Sequence, residues 1–210
     1  MDQITTGIRR VLSLPIVYDT FQTVVGAVAS KRKVCEQYVS RGSSDIVVDV
    51  GCGTADILTF LPASSHYFGF DLSQSYIDAA KKRHAGRPNS SFLCADLNEM
   101  APDAMPPCDL AIVFGVLHHI NDESARRLME NLHDRLAPGG RLITVDPTLV
   151  EGQARIAREL IKRDRGQHVR TPEAYEALVP ARFQGHVTEV RHDMLYIPYS
   201  LAVTVCTKAA

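Results

Sequence analysis

A short β-branched run, Asp45-Ile-Val-Val-Asp-Val50, stops at Gly51-Cys52-Gly53 and gives way to a stretch of helical character from Thr54 to Leu61. Glycines at that junction allow a tight turn and close approach of a ligand to the backbone. A strand that ends on glycines and feeds a helix is the repeating unit of a parallel α/β sheet. The unit recurs. His66-Tyr-Phe-Gly-Phe70 predicts a second strand, after which Ser73 caps a helix through Ala85. Ser91–Ala95 predicts a third strand, led in by Arg87-Pro88-Asn89. Asp109–Phe114 predicts a fourth, apolar through its middle as expected of a strand covered on both faces. A helix from Asp122 through Leu136 ends at Pro138-Gly139-Gly140, and Arg141–Val145 is the fifth strand.

Both ends of the chain read differently. Upstream, Val17, Phe21, Val24, Val25 and Val28 recur at helical spacing up to the basic turn Lys31–Lys33, which reads as a solvated helix face. Downstream, helices near Glu151–Lys162 and Pro172–Leu178 precede two strand-like runs, His186–Leu195 and Leu201–Thr207. Only Tyr196–Ser200 separate these runs, too few residues for a parallel crossover, so they predict an antiparallel hairpin at the sheet edge. The fold class is therefore α/β: a three-layer, doubly wound, mostly parallel seven-stranded sheet with a C-terminal antiparallel hairpin. The expected organisation is one domain over 1–210, with leading helices or a lid in 1–42, a cofactor-binding core in 45–146, and substrate-side helices plus the hairpin in 147–210.

Composition narrows the function classes. A formal net charge of −1 over 210 residues, with no basic run longer than Lys31-Arg32-Lys33, argues against a nucleic-acid partner. The five cysteines are scattered and form no CxxC pair, so neither a disulfide framework nor a zinc site is indicated. The longest apolar stretch, Leu110–Leu117, is too short to cross a bilayer, and the first ten residues have no apolar signal core. The expected setting is cytoplasmic, with no membrane partner and no metal.

The glycine turn has an acid two residues before it, Asp49, and another beyond it, Asp56. A third, Asp71, follows the second strand, where a carboxylate can accept hydrogen bonds from the vicinal hydroxyls of a ribose. Together these indicate a nucleoside cofactor. The loop runs Gly51-x-Gly53-x-Ala55 rather than the G-x-G-x-x-G that seats a pyrophosphate, and its acids would repel one. S-adenosylmethionine, whose amino-acid end carries a sulfonium and an ammonium, suits that charge pattern.

Val47-Val-Asp-Val-Gly-Cys-Gly-Thr54 resembles the first motif of the class I, Rossmann-like S-adenosylmethionine-dependent methyltransferases of small-molecule type. Gly69-Phe-Asp-Leu-Ser73 resembles their second motif, Cys94-Ala-Asp-Leu97 their third and Asp109–Ile120 their fourth, while Leu136-Ala-Pro-Gly-Gly-Arg-Leu142 matches the approach to their fifth strand. The resemblance covers residues 45–146. It implies that Asp49, Gly51, Cys52 and Gly53 border the methionine moiety, that Asp71 holds the ribose hydroxyls and that Leu72 lies on adenine. It further implies that Asp96 accepts from the adenine amino group beside Leu97, and that Phe114 and Gly115 offer backbone to the cofactor's amino-acid end. Ala55 stands where the family usually has glycine, a change expected to be tolerated at negative φ.

Methyl transfer needs an in-line nucleophile and a place for its proton. His118, His119 and Asp146 lie at strand ends on the ligand-binding edge and are the candidate catalytic groups, with plain scaffold as the other reading of the histidine pair. Arg163, Arg165 and Arg170, followed by Tyr175, could bind an anionic group on the acceptor or form a solvated loop. Tyr196 and Tyr199, with His192, flank the hairpin bend and could line the acceptor pocket or pack the sheet edge. Tyr18 and Phe21 could cover the site. Three other functions compete: a nucleotide-dependent oxidoreductase, which lacks its glycine spacing here; a base methyltransferase, whose Asn/Asp-Pro-Pro-aromatic motif is replaced by Phe114-Gly-Val-Leu117; and a non-catalytic cofactor-binding protein.

Overall fold

The structure is a computed structural model and describes residues 26–42, 44–100, 106–163 and 166–210. Tyr18, Phe21 and Arg165 lie outside these residues. Seven strands form one sheet in the order β3-β2-β1-β4-β5-β7-β6. They are β1 (Ile46–Val50), β2 (His66–Asp71), β3 (Ser90–Cys94), β4 (Cys108–Phe114), β5 (Leu136–Pro147), β6 (Gly185–Arg191) and β7 (Leu201–Thr207). The first five are parallel, while β7 runs antiparallel to both β5 and β6. The expected mixed sheet and terminal hairpin are thus present.

Period-two burial explains why two layers of helix are needed. Along β1 and β4, Val47, Leu110 and Ile112 face one core, whereas Val48, Val50, Ala111 and Val113 face the other. Helices α1 (Ala27–Gln37) and α2 (Gln74–Arg83) cover the first face through Val34, Cys35, Ile77 and Ala80. Helix α3 (Asp122–Arg135) covers the second through Leu128, Met129 and Leu132. Two shorter helices, α4 (Arg155–Lys162) and α5 (Pro172–Glu176), lie in the crossover between β5 and the hairpin. The starts of α2, α3 and α5 are set by side-chain caps: Ser73, Asn121 and Thr171 accept from the backbone N–H groups of Tyr76, Ser124 and Ala174.

Three expectations change. The helix predicted over Thr54–Leu61 is a five-residue 3₁₀ turn, Asp56–Phe60. Ala55 stands before it at φ 58°, the only described non-glycine residue at positive φ, and not at the negative φ expected. Ala55 in the left-handed conformation directly precedes this turn, in which Asp56, Ile57 and Leu58 are buried. Finally, α1 continues past Lys33 to Gln37, and its carbonyl end is held by Arg141 of β5, which donates to the carbonyls of Tyr38 and Val39 at 2.6 and 2.8 Å.

Candidate active site

The carboxyl ends of β1, β2 and β4 converge on a cavity of about 450 Å³. Its lining includes Gly51, Gly53, Asp71, Leu72, Asp96, Leu97, Phe114 and Gly115, every expected cofactor residue except Asp49 and Cys52. Gly51, Gly53 and Gly115 all have positive φ, and a Cβ on Gly51 would collide with Val116. The Asp71 carboxylate is held by two backbone amides, accepting from Gly53 N at 2.9 Å and Ser73 N at 2.8 Å. Asp96 accepts from Asn98 N at 2.9 Å. Both acids are thus held by backbone amides and stand on the cavity wall. Burial pushes Asp71 above the usual carboxylate range, opposed by the amides of Ser73 and Gly53.

Asp49 and Cys52 lie behind this wall. Asp49 is buried and accepts from the Tyr67 hydroxyl at 2.5 Å. Burial raises its pKa to about 7, with Tyr67 and Lys31 acting in the opposite direction. Lys31 is not the solvated residue expected of a basic triplet. Its side chain is 13% exposed and its Nζ donates to Asp56 Oδ2 at 2.9 Å. Arg83 of α2 reaches the other oxygen of the same carboxylate. Lys31 Nζ lies 6.0 Å from the centre of the Phe114 ring, which lines the cavity.

The structure separates the two adjacent histidines. His119 lines the cavity. His118 is buried, with Nδ1 2.8 Å from Asp146 Oδ1 and its backbone N–H donating to the same oxygen at 3.1 Å. Gly166 packs so tightly over His118 that a Cβ there would collide with the imidazole. The two imidazole rings are 3.9 Å apart between centroids. Asp146 Oδ2 is buried without a hydrogen-bond partner among the described residues, and burial raises this acid despite the contact with His118.

The acceptor-side residues divide too. Arg170 is 8% exposed, and its guanidinium is taken up by the fold: it donates to the carbonyls of Leu117, Ile120 and His168 and pairs with Asp122. Tyr175 is buried, donates to the Pro147 carbonyl at 2.9 Å and lies beneath Arg170. Neither of these two lines the cavity. Arg163 is exposed at the end of α4, and Tyr196 is 71% exposed beside Gly26. Tyr199 lines a separate cavity of about 310 Å³ with His192, Gln153 and Ser200. A third cavity, about 580 Å³, lies at the amino edge of the parallel strands around Tyr38 and Arg141, away from the glycine loop. Sequence reasoning missed Tyr76, Asn98, Val116 and Leu128 on the wall of the cofactor-sized cavity. Tyr76 was within reach, because the Ser73 cap places it in the first turn of α2.

Residues 48–142 match the family model described as a methyltransferase domain. Among curated proteins, the mRNA cap guanine-N(7) methyltransferase of Candida glabrata is 28% identical over 121 residues, half of this chain and 29% of that one. An uncharacterized methyltransferase of Oceanobacillus iheyensis is 28% identical over 137 residues, 62% of each chain. The chain thus spans less than two thirds of either relative. Among solved structures, the fold is similar to phosphoethanolamine N-methyltransferase 2 of Haemonchus contortus, determined with phosphomonomethylethanolamine and S-adenosylhomocysteine. That likeness has TM-score 0.76 at 12% identity and covers 97% of this chain and 59% of that one. The match to the methyltransferase domain thus covers 95 of the 210 residues, and the likeness to the solved structure is one of fold.

Proposed function

We propose that the chain binds S-adenosylmethionine in the cavity above β1, β2 and β4 and transfers its methyl group to a small-molecule acceptor in the cytoplasm. The observation that carries this reading is the convergence of Gly51, Gly53, Asp71, Asp96, Phe114 and Gly115 on one cavity of nucleoside size. The residues fit the ligand chemically. Carboxylates fixed by backbone amides suit hydroxyl and amino donors, and a side chain at Gly51 would strike Val116 of the cavity wall. We read 45–146 as the cofactor-binding part and 147–210 as the acceptor side of a single domain.

Bound there, S-adenosylmethionine supplies an electrophilic methyl carbon on a sulfonium. The chain's own task is to hold the acceptor atom in line and receive its proton. His119, at the cavity wall, is assigned the proton; a neutral imidazole accepts one near pH 7. His118 and Asp146 are assigned its orientation, because the pair fixes one ring and the second packs against it, tilted by 40°. A small acceptor accords with the net charge of −1, and the four buried free cysteines with a reducing compartment. Of the arginines expected to bind an anionic acceptor, Arg163 remains the described candidate.

The test is calorimetric titration with S-adenosylmethionine, S-adenosylhomocysteine and NAD⁺. Binding of both adenosylated ligands and not of NAD⁺ is expected. Binding of NAD⁺ alone would replace this reading with the oxidoreductase.

A further inference from the structure

The sheet face that α1 and α2 cover over β1 and β4 continues onto the terminal hairpin, where it stays open at Val187. Cross-strand pairing sets Val187 beside Val205 and Glu189 beside Val203, and alternation puts all four on one face. The other face of the hairpin carries Ala202 and Cys206, packed in one core with Tyr175 and Leu178. Val187 is 62% exposed and forms part of the cavity of about 580 Å³ that Tyr38, Arg41 and Arg141 also line. That volume suits a small molecule, and the cavity shares no lining residue with the cofactor-sized one.

The charges lining this cavity do not cancel. Glu189 accepts from the Tyr38 hydroxyl at 2.7 Å. Arg141 spends two nitrogens on the carbonyls of Tyr38 and Val39 and has no acid partner among the described residues. The Arg41 guanidinium lies 5.6 Å from the centre of the Tyr38 ring and donates to no carbonyl or carboxylate among the described residues. Burial and the charge of Arg41 both lower the pKa of Arg141, so the two cations stand within each other's field. Two arginines against one glutamate leave a single positive charge beside an apolar floor. From these observations we infer that the cavity is a second binding site, for a small carboxylate carried on an apolar body, with Arg41 gripping the carboxylate and Val187 and Val205 receiving the body. A monoanion matches the charge balance, and the guanidinium fork matches a carboxylate with two parallel hydrogen bonds. The inference is independent of the proposed cofactor.

Calorimetry with naphthoate as the probe tests the site against naphthylmethanol, which keeps the rings without the charge, and acetate, which keeps the charge without the rings. Naphthoate should bind about tenfold tighter than either. Arg41→Gln should weaken naphthoate about tenfold, and Val187→Glu, which sets a like charge on the floor, by as much. Both positions are exposed, so urea unfolding of the two variants should match that of the unaltered protein, and lost binding then reports lost contact. No measurable binding of naphthoate, equal affinity for naphthoate and naphthylmethanol, or unchanged naphthoate affinity in either variant would overturn the inference.

Discussion

Along the carboxyl edge of the sheet, the half built on β1, β2 and β4 and the half beyond β5 use polar side chains in opposite ways. In the first, Asp71 and Asp96 accept from backbone amides and line a cavity. In the second, Arg170, Tyr175, Thr148 and Gln153 are buried or half-buried and spend their donors on carbonyls and hydroxyls of neighbouring segments. Proximity to a ligand-binding edge therefore does not make a polar residue a ligand-binding one. What decides is whether the chain has already used its hydrogen bonds.

Substitutions on the two sides should separate stability from binding. The largest effect is expected at Arg170→Ala, which strips the donors from the Leu117, Ile120 and His168 carbonyls at once. Urea unfolding should show a loss of about 3–5 kcal/mol. A stability change below about 1 kcal/mol would mean that the arginine is not a clamp, and the contrast between the halves would collapse.

On the other side, Asp71→Ala should weaken S-adenosylhomocysteine by about 1.5–3 kcal/mol in calorimetry, the worth of charge-assisted bonds to hydroxyls. Unchanged affinity would remove Asp71 from the site.

Asp49 sharpens the comparison, because it belongs to the cofactor half by position but is buried and already bonded to Tyr67. Its folded pKa, about 7, is above its unfolded value near 3.9, so the folded chain holds this proton more tightly. Asp49's contribution to stability is thus fully present below pH ~4 and lost as pH rises to about 7, at no more than about 1.4 kcal/mol per pH unit. Asp49→Asn cannot ionise, so its stability relative to the unaltered protein should improve between pH 5 and pH 8. A relative stability that stays flat across that range would show that Asp49 does not titrate there.

The smallest effect is expected at Ala55→Gly. Relief of about 1–2 kcal/mol of left-handed strain is offset by a lost buried methyl, about 0.8 kcal/mol, and by the freer unfolded chain, about 0.4–1 kcal/mol. The melting curve should shift by under about 1 kcal/mol equivalent despite the full burial of Ala55. A loss above 2 kcal/mol would show that the methyl, and not the turn, matters there.

The legibility of the site follows from the same contrast. Gly51, Gly53, Asp71 and Asp96 were readable as cavity-wall positions because each stands at or just past a strand end whose position alternation already sets. The inward turn of Lys31 was not readable, because its partners Asp56 and Phe114 are 25 and 83 residues away in the chain, and a basic triplet at a helix surface has the same letters whether or not one member turns inward. Arg170 was misjudged for a related reason. A polar loop near a ligand edge looks available until the carbonyls of Leu117 and Ile120 are brought against it.

The order of strands and helices, the terminal hairpin and the glycine-turn motif were determined by the sequence alone, since periodicity, capping residues and loop length act over a few neighbouring residues. Tertiary structure alone decided which of two adjacent histidines faces the cavity and which is locked to Asp146. It likewise decided which arginine is consumed as a clamp, and that Ala55 adopts a left-handed turn. The histidine and arginine outcomes depend on burial and on partners distant in the chain, and a carbonyl or carboxylate 28 to 50 residues away leaves no mark on the local pattern of letters.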